Sequence, residues 1–144
     1  MAETVFLDVN VFMYAAGASH PYKIPCVQIL SDLEIGNLAA AVNVEIFQEL
    51  LYRYSHIKLA DKGLQLCRQI LKYPLIVLSV TEVDLHLAID LFDKYRRVGL
   101  KPRDALHAAT MKNNGLSRLI SADRDFDHLN FIDRVDPSVY VSQS

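Results

Sequence analysis

Several residue types are scarce in this chain of 144 residues, and their scarcity limits what the protein can be. It has two cysteines, five glycines, five prolines and no tryptophan, which excludes disulfide-rich, collagen-like and linker-dominated architectures. No apolar run approaches the roughly 18–20 residues that a membrane span needs. The first four residues also lack the basic-then-apolar pattern of a secretory signal. We therefore expect a cytoplasmic protein with reduced cysteines and no membrane partner.

The chain has enough apolar residues to form a buried core. Hydrophobic residues make up 51% of it and charged residues 22%, and its length fits a single domain, which we expect to span residues 1–144. The formal net charge of −2 would by itself predict no nucleic-acid partner. Local patches of charge decide binding more than the sum does, however.

Short apolar runs alternate with segments of helical periodicity along the chain. Runs typical of strands lie at residues 4–7, 38–42, 75–80 and 119–121, with a weaker one at 139–141. Between the first four runs, apolar residues recur at the 3.6-residue spacing of helices. This alternation predicts an α/β protein with a mainly parallel central sheet.

Residues typical of helix ends flank several of these segments. Asn43 is expected to cap the helix that contains the Ile46 stripe. Thr81 and Asp84 have the spacing of a capping box, and Gly115 is expected to end the last long helix.

Four acidic residues that are distant in sequence follow the predicted strands or open the next helices: Asp8, Glu45, Asp104 and Asp123. Each alone has an ordinary explanation as a helix-dipole partner or a turn former. Together they are expected at one edge of a parallel sheet, because the carboxyl ends of its strands share that edge. Clustered carboxylates need a cation or raised pKa values, and oxygen ligands suit Mg²⁺ or Mn²⁺. Because two such ions can clamp a phosphodiester, the pattern fits phosphodiester hydrolysis best.

The motifs that carry these acids resemble those of the PIN-domain family. They occupy residues 6–10, 44–45, 103–110 and 120–126 and are most similar to those of the single-domain VapC-type toxin ribonucleases. The resemblance implies a three-layer α/β/α sandwich that cleaves RNA with Mg²⁺ or Mn²⁺, using one or two ions per site. It implies that an acidic tetrad forms the catalytic and metal-binding site: Asp8, Glu45, Asp104 and Asp123.

The resemblance also implies supporting residues and partners. Asn10, Ser121 and Asp125 are expected beside the acids, and Glu45 is expected to orient or deprotonate water. His107 lies one helical turn after Asp104 and is interpreted as a hydrogen-bond partner of the site or a packed residue rather than a general base. Related toxins are commonly dimers inhibited by a partner protein, so we expect a homodimer and an antitoxin.

A basic segment precedes the third acid of the tetrad. Five basic residues lie between positions 94 and 103, and they serve either as a solvated helix end or as phosphate contacts for RNA. The candidate RNA-binding residues are Arg97, Lys101, Arg103 and, between two acids, Arg124.

Two other functions stay open at this point. The first is an RNA-processing or quality-control PIN nuclease that has no antitoxin. The second is a regulatory module that holds a cation without turnover, such as a phosphoacceptor receiver domain. A receiver domain would need paired acids after the first strand, where this chain has Asp8 alone. It would also need a lysine after a late strand, where this chain has Asp123.

Overall fold

A computed structural model describes residues 3–142, and a five-stranded parallel sheet lies at their centre. The strands, in chain order, are β1 (Val5–Leu7), β2 (Ala40–Asn43), β3 (Ile76–Leu78), β4 (Arg118–Ile120) and β5 (Asp133–Val135). Their spatial order is β3-β2-β1-β4-β5, and every neighbouring pair is parallel. The α/β class and the parallel sheet are confirmed.

Within residues 3–142, six α-helices alternate with these strands and complete a three-layer α/β/α arrangement. They are α1 (Val9–Ala16), α2 (Lys23–Glu34), α3 (Glu45–His56), α4 (Ala60–Ile70), α5 (Glu82–Tyr95) and α6 (Pro102–Asn113). Short 3-10 turns occupy Arg96–Val98, Arg124–His128 and Pro137–Val139. None of the helices in the described range combines the length and the apolar character that crossing a bilayer requires.

The central position of β1 and β2 follows from their composition. Every residue of these two strands is buried, and the largest side chains in the core include Phe6, Phe12 and Phe126. By contrast, β3 and β5 lie at the edges of the sheet and are partly exposed. Fully apolar strands are typical of a parallel sheet covered on both faces.

Three predicted helix ends are confirmed by their hydrogen bonds. The Thr81 hydroxyl accepts from the Asp84 N–H at 3.3 Å, and the Asp84 carboxylate accepts from the Thr81 N–H at 2.9 Å. The Asn43 side chain accepts from the Ile46 N–H at 3.3 Å. Gly115 follows α6 with φ +70°, the left-handed conformation that glycine adopts without strain.

The prediction of a strand at residues 139–141 was wrong. Pro137 has no N–H, and the Asp136 side chain accepts from the Ser138 N–H at 3.0 Å, so the chain turns there. The fifth strand is instead β5, whose residues Asp133 and Arg134 are polar. An edge strand does not need alternating apolar and polar residues. The apolar pattern therefore indicated residues 139–141 instead of β5.

Candidate active site

Asp8 lies at the junction between β1 and α1 and is almost fully buried. One carboxylate oxygen accepts from the Val9 N–H at 2.8 Å, so that Asp8 caps α1. The other accepts from the Ser121 hydroxyl at 2.6 Å and from the Asn10 amide at 3.2 Å. The sheet brings these residues together because β1 pairs directly with β4.

Ser121 and Asn10 join the two central strand ends into one hydrogen-bonded unit. The Asn10 amide donates to Ser121 at 3.2 Å, while its oxygen accepts from the Ala122 N–H at 3.3 Å. The Ser121 hydroxyl also accepts from the Asp123 N–H at 3.0 Å. Asn10 and Ser121 therefore lie where the sequence motifs predict them, in contact with Asp8 or its neighbours.

Asp104 lies in the first turn of α6. It is buried, and within residues 3–142 its Oδ2 atom has no hydrogen-bond partner. Burial raises its pKa to about 8, with further contributions from the negative charges of Asp8 and Asp123. Burial likewise raises the pKa of Asp8. The positive charge near Asp8 and Asp104 is therefore not sufficient to balance two ionised carboxylates.

Asp123 lies at the more exposed side of the cluster and begins the 3-10 turn after β4. Its carboxylate accepts from the Asp125 N–H at 2.9 Å. Although partial burial acts in the opposite direction, this hydrogen bond and the Lys101 charge help to lower the pKa of Asp123. The Lys101 Nζ atom lies 3.7 Å from Asp123 and 3.2 Å from Asp125. Lys101 and Asp125 are thus also at the site.

Glu49 is the acid that sequence reasoning missed. It lies in the second turn of α3 and is buried, and one of its carboxylate oxygens, an Asp8 oxygen and a His107 nitrogen lie within 4.8 Å of one another. Its Oε2 atom accepts a hydrogen bond from Arg53 at 2.9 Å and forms an ion pair with Arg103 Nε, also at 2.9 Å. Although burial acts the other way, the bond from His107 and the nearby arginines lower the pKa of Glu49.

Glu45, the predicted fourth acid, is placed differently. It is half-buried at the start of α3 and lines an open groove together with Glu49 and Arg103. Within the described residues, no hydrogen bond or ion pair joins Glu45 to the aspartates. The structure therefore brings Glu49, one helical turn later, to Asp8. A signal existed in the sequence, because Glu49 interrupts the apolar stripe formed by Ile46, Leu50 and Tyr54.

His107 is completely buried behind the acids, on the same helix as Asp104. Its Nε2 atom lies 3.3 Å from Glu49 Oε1, and its Nδ1 atom lies 3.1 Å from the Asn43 amide nitrogen. Although burial opposes a charge on the ring, the Glu49 hydrogen bond and the surrounding carboxylates raise the pKa of His107. The interpretation of His107 as a hydrogen-bond partner agrees with these contacts.

The predicted RNA-binding residues fall into two groups. Arg103 is half-buried and Lys101 is exposed, and both contact acids of the cluster. Arg97 and Arg124 are exposed, and neither forms an ion pair with any residue between positions 3 and 142. The first group places positive charge directly beside the acids.

The donor set fits a hard divalent cation. The carboxylates of Asp8, Asp104 and Asp123 supply oxygen ligands of the kind that Mg²⁺ and Mn²⁺ prefer. The unpartnered Asp104 oxygen and the raised pKa values show that the cluster lacks positive charge. A bound dication would supply that charge, so the residues fit the ion that the motifs imply.

Comparison with known proteins assigns the family. The PIN-domain model matches residues 5–132. The chain belongs to the PIN-domain family. Ribonuclease VapC13 of Mycobacterium tuberculosis is 33% identical over 131 residues, covering 91% of this chain and 98% of that protein. Ribonuclease VapC7 of the same organism is 28% identical over 134 residues, covering 92% and 91% of the two chains.

Solved structures of VapC toxins share this PIN-domain fold. The crystal structure of Mycobacterium tuberculosis VapC20, described as a sarcin-ricin-loop-cleaving toxin, superposes with a TM-score of 0.75 at 13% identity. That match covers 89% of this chain and 96% of the other. VapBC2 of Rickettsia felis, solved on a promoter DNA fragment, has a TM-score of 0.70 at 17% identity and covers 92% and 97%. The family resemblance is confirmed, and the receiver-domain alternative is wrong.

Proposed function

We propose that this PIN-domain protein is a Mg²⁺- or Mn²⁺-dependent endoribonuclease and the toxin of a type II toxin–antitoxin pair. The observation that carries the proposal is the buried Asp104 oxygen with no partner among residues 3–142, beside two further aspartates. Such a site is stabilised by a divalent cation, and divalent cations promote phosphodiester hydrolysis. The relatives named as VapC ribonucleases support RNA as the substrate.

The acids together bind one or two ions. In this proposal Asp8, Asp104 and Asp123 are metal ligands and catalytic residues, and Glu49 rather than Glu45 completes the tetrad. A bound ion would lower the pKa of water and stabilise the negative charge that develops on the leaving oxygen. Ser121 and Asn10 keep the Asp8 carboxylate in place through hydrogen bonds of 2.6 and 3.2 Å.

Cationic side chains around the acids are proposed to bind the RNA backbone. Lys101 and Arg103 keep exposed donors next to the carboxylates, with 45% and 38% of their side chains accessible. Arg97 and Arg124 extend the positive charge outward. Binding by such residues releases counterions, so RNA affinity is expected to fall steeply with added salt.

Glu45 is proposed to act within the groove rather than on the metal. It shares that groove with Gln48, Tyr52 and Arg103. A carboxylate in this place would face the RNA strand or its attacking water at a distance from the aspartates. Its replacement is therefore expected to cost less activity than replacement of Glu49.

The direct test is cleavage of end-labelled RNA by the purified protein with Mg²⁺, with Mn²⁺ and with EDTA. We expect cleavage only with a divalent ion and its loss in Asp8→Asn and Asp104→Asn. Asp90→Asn serves as the matched control, since Asp90 is an exposed aspartate of α5. Full activity of either site variant, or cleavage that survives EDTA, would contradict the proposal.

An antitoxin partner and a homodimer are part of the same proposal. Structures of VapBC complexes from several bacteria are among the fold neighbours and support a protein partner of this kind. We further propose one nuclease domain over residues 1–144 and a cytoplasmic location. Light scattering at micromolar concentration is expected to give the mass of a dimer. A monomer there would contradict that part.

The second candidate is a PIN nuclease of RNA processing that works without an antitoxin. Both candidates share the same site and chemistry, so a cellular experiment separates them. Growth arrest on induced expression, its loss in Asp8→Asn, and its relief by the product of a neighbouring small gene are expected of the toxin. Expression without arrest favours the processing enzyme.

A further inference from the structure

A buried chain of polar side chains lies behind the metal-binding acids, and the metal chemistry does not by itself explain it. Asn43 ends β2, His107 and Thr110 lie on α6, and Glu49 lies on α3. All four are at most 4% exposed. Buried polar groups are costly unless each has a partner, so the direction of every hydrogen bond here can be worked out.

The orientation of the Asn43 amide is fixed from two sides. Its oxygen accepts from the Ile46 N–H at 3.3 Å, and that group can only donate. Its nitrogen lies 3.2 Å from the Thr110 hydroxyl, which donates its own proton to the Leu106 carbonyl at 2.8 Å and must therefore accept from Asn43. A flipped amide would lose both hydrogen bonds.

The orientation of Asn43 determines which nitrogen of His107 carries the proton. The Asn43 nitrogen lies 3.1 Å from His107 Nδ1 and can only donate, so Nδ1 must present its lone pair. The proton is then on Nε2, which lies 3.3 Å from Glu49 Oε1. The Asn43 amide, fixed by Ile46 and Thr110, therefore sets the tautomer of the neutral ring.

Glu49 is flanked by three basic side chains, and these use its two oxygens unequally. Oε2 accepts a hydrogen bond from Arg53 at 2.9 Å and forms an ion pair with Arg103 Nε, also at 2.9 Å. Oε1 lies 3.3 Å from His107 Nε2 and forms no ion pair with an arginine of the described residues. Because both arginines lie against Oε2, Oε1 is the oxygen that can share a cation with Asp8.

We propose that His107 is a positioning residue: as the Nε2–H tautomer set by Asn43 and Thr110, it orients Glu49 so that Oε1 serves the cation. The inference rests on the proposed function, because it assigns Glu49 to the metal site. His107 is not itself a ligand in this arrangement. Both of its nitrogens are already engaged, one as an acceptor and one as a donor.

The tautomer is tested by NMR on the wild-type protein labelled with ¹⁵N-histidine and saturated with Mg²⁺ at pH 8. Long-range ¹H–¹⁵N correlations distinguish the two neutral tautomers, and comparison with His107→Gln identifies the signals of His107. We expect an Nε2–H ring in the Mg²⁺-saturated protein. An Nδ1–H ring, a doubly protonated ring, or a ring without a proton on Nε2 overturns the proposal.

The positioning role is tested by Mn²⁺ titration calorimetry on two variants. His107→Gln keeps an N–H donor and is expected to stay within about threefold of the wild-type Kd. His107→Leu has no donor and is expected to bind about 10–100-fold more weakly, the usual effect of losing a partner of a metal ligand. His86→Leu, at an exposed histidine of α5, is the control and should not change the Kd.

The possible outcomes separate this inference from the proposed function. Equal Mn²⁺ affinity in His107→Leu and wild type overturns the positioning role, as does equal weakening in His107→Gln and His107→Leu. If His107→Leu fails to fold in chelator, the tautomer experiment and His107→Gln still decide. Absence of RNA cleavage alongside the expected tautomer and Mn²⁺ results would contradict the nuclease proposal and leave this inference standing.

Discussion

Replacing Asp104 by asparagine should stabilise the metal-free protein at neutral pH. The Asp104 carboxyl is buried and has a pKa of about 8 in the folded state, compared with an ordinary value of 3.8. Because the folded pKa is raised, the folded state binds the proton more tightly than the unfolded state does. Stability is therefore greatest below about pH 4 and is lost progressively as pH rises toward 8.

The size of the effect follows from linkage. One pKa unit corresponds to about 1.36 kcal/mol. The raised pKa of Asp104 therefore lowers the free energy of unfolding by about 5 kcal/mol at pH 7.5, compared with a neutral side chain at that position. At pH 5.5 the corresponding loss is about 2 kcal/mol. Total stabilities of domains are only about 5–15 kcal/mol, so the difference is measurable.

Urea unfolding in EDTA at pH 5.5 and 7.5 measures this difference. Wild type should lose about 2–3 kcal/mol between the two values, and Asp104→Asn should lose much less and be the more stable protein at pH 7.5. Adding Mn²⁺ should stabilise wild type and have little effect on the variant. Asp90→Asn, on the surface of α5, should follow wild type. The reasoning is refuted if Asp104→Asn is no more stable than wild type at pH 7.5 in chelator.

Four further variants test other parts of the structure. Glu49→Gln should reduce RNA cleavage and Mn²⁺ affinity by at least about tenfold, whereas Glu45→Gln should change Mn²⁺ affinity little. If calorimetric titration shows that Glu45→Gln weakens Mn²⁺ binding more than Glu49→Gln does, the assignment of Glu45 made from sequence is restored. Lys101→Met removes a half-exposed ammonium group and should change the free energy of unfolding by less than about 1 kcal/mol. It should nevertheless tighten Mn²⁺ binding, because that positive charge repels the ion; weaker binding would argue against the repulsion. Tyr140→Phe removes the 2.6 Å hydrogen bond from the Tyr140 hydroxyl to buried Asp32. It should lower the free energy of unfolding in urea by about 1–3 kcal/mol. An unchanged free energy of unfolding would show that this hydrogen bond does not hold the C-terminal segment.

Much of the fold was predictable because the deciding interactions are local. The capping box of Thr81 and Asp84 joins residues three apart in sequence. The apolar runs that became β1, β2, β3 and β4 indicated the parallel sheet, and parallel pairing in turn predicted that Asp8 and Asp123 would lie at one edge. The fifth strand was wrongly predicted at residues 139–141, because the true edge strand, β5, has few apolar residues that could have indicated it.

The sequence by itself determined which chemistry this site supports. Aspartates that follow buried strands or open a helix meet at one sheet edge, and oxygen ligands select hard cations. The tertiary structure alone placed Glu49 rather than Glu45 beside Asp8, since both glutamates lie on α3 and the approach of α6 brings His107 and Arg103 to Glu49. His107 is 58 residues from Glu49 and 64 from Asn43, and no local pattern encodes contacts over such separations. Those contacts exist because packing brings α3, α6 and the end of β2 together and leaves their buried polar groups only one another as partners.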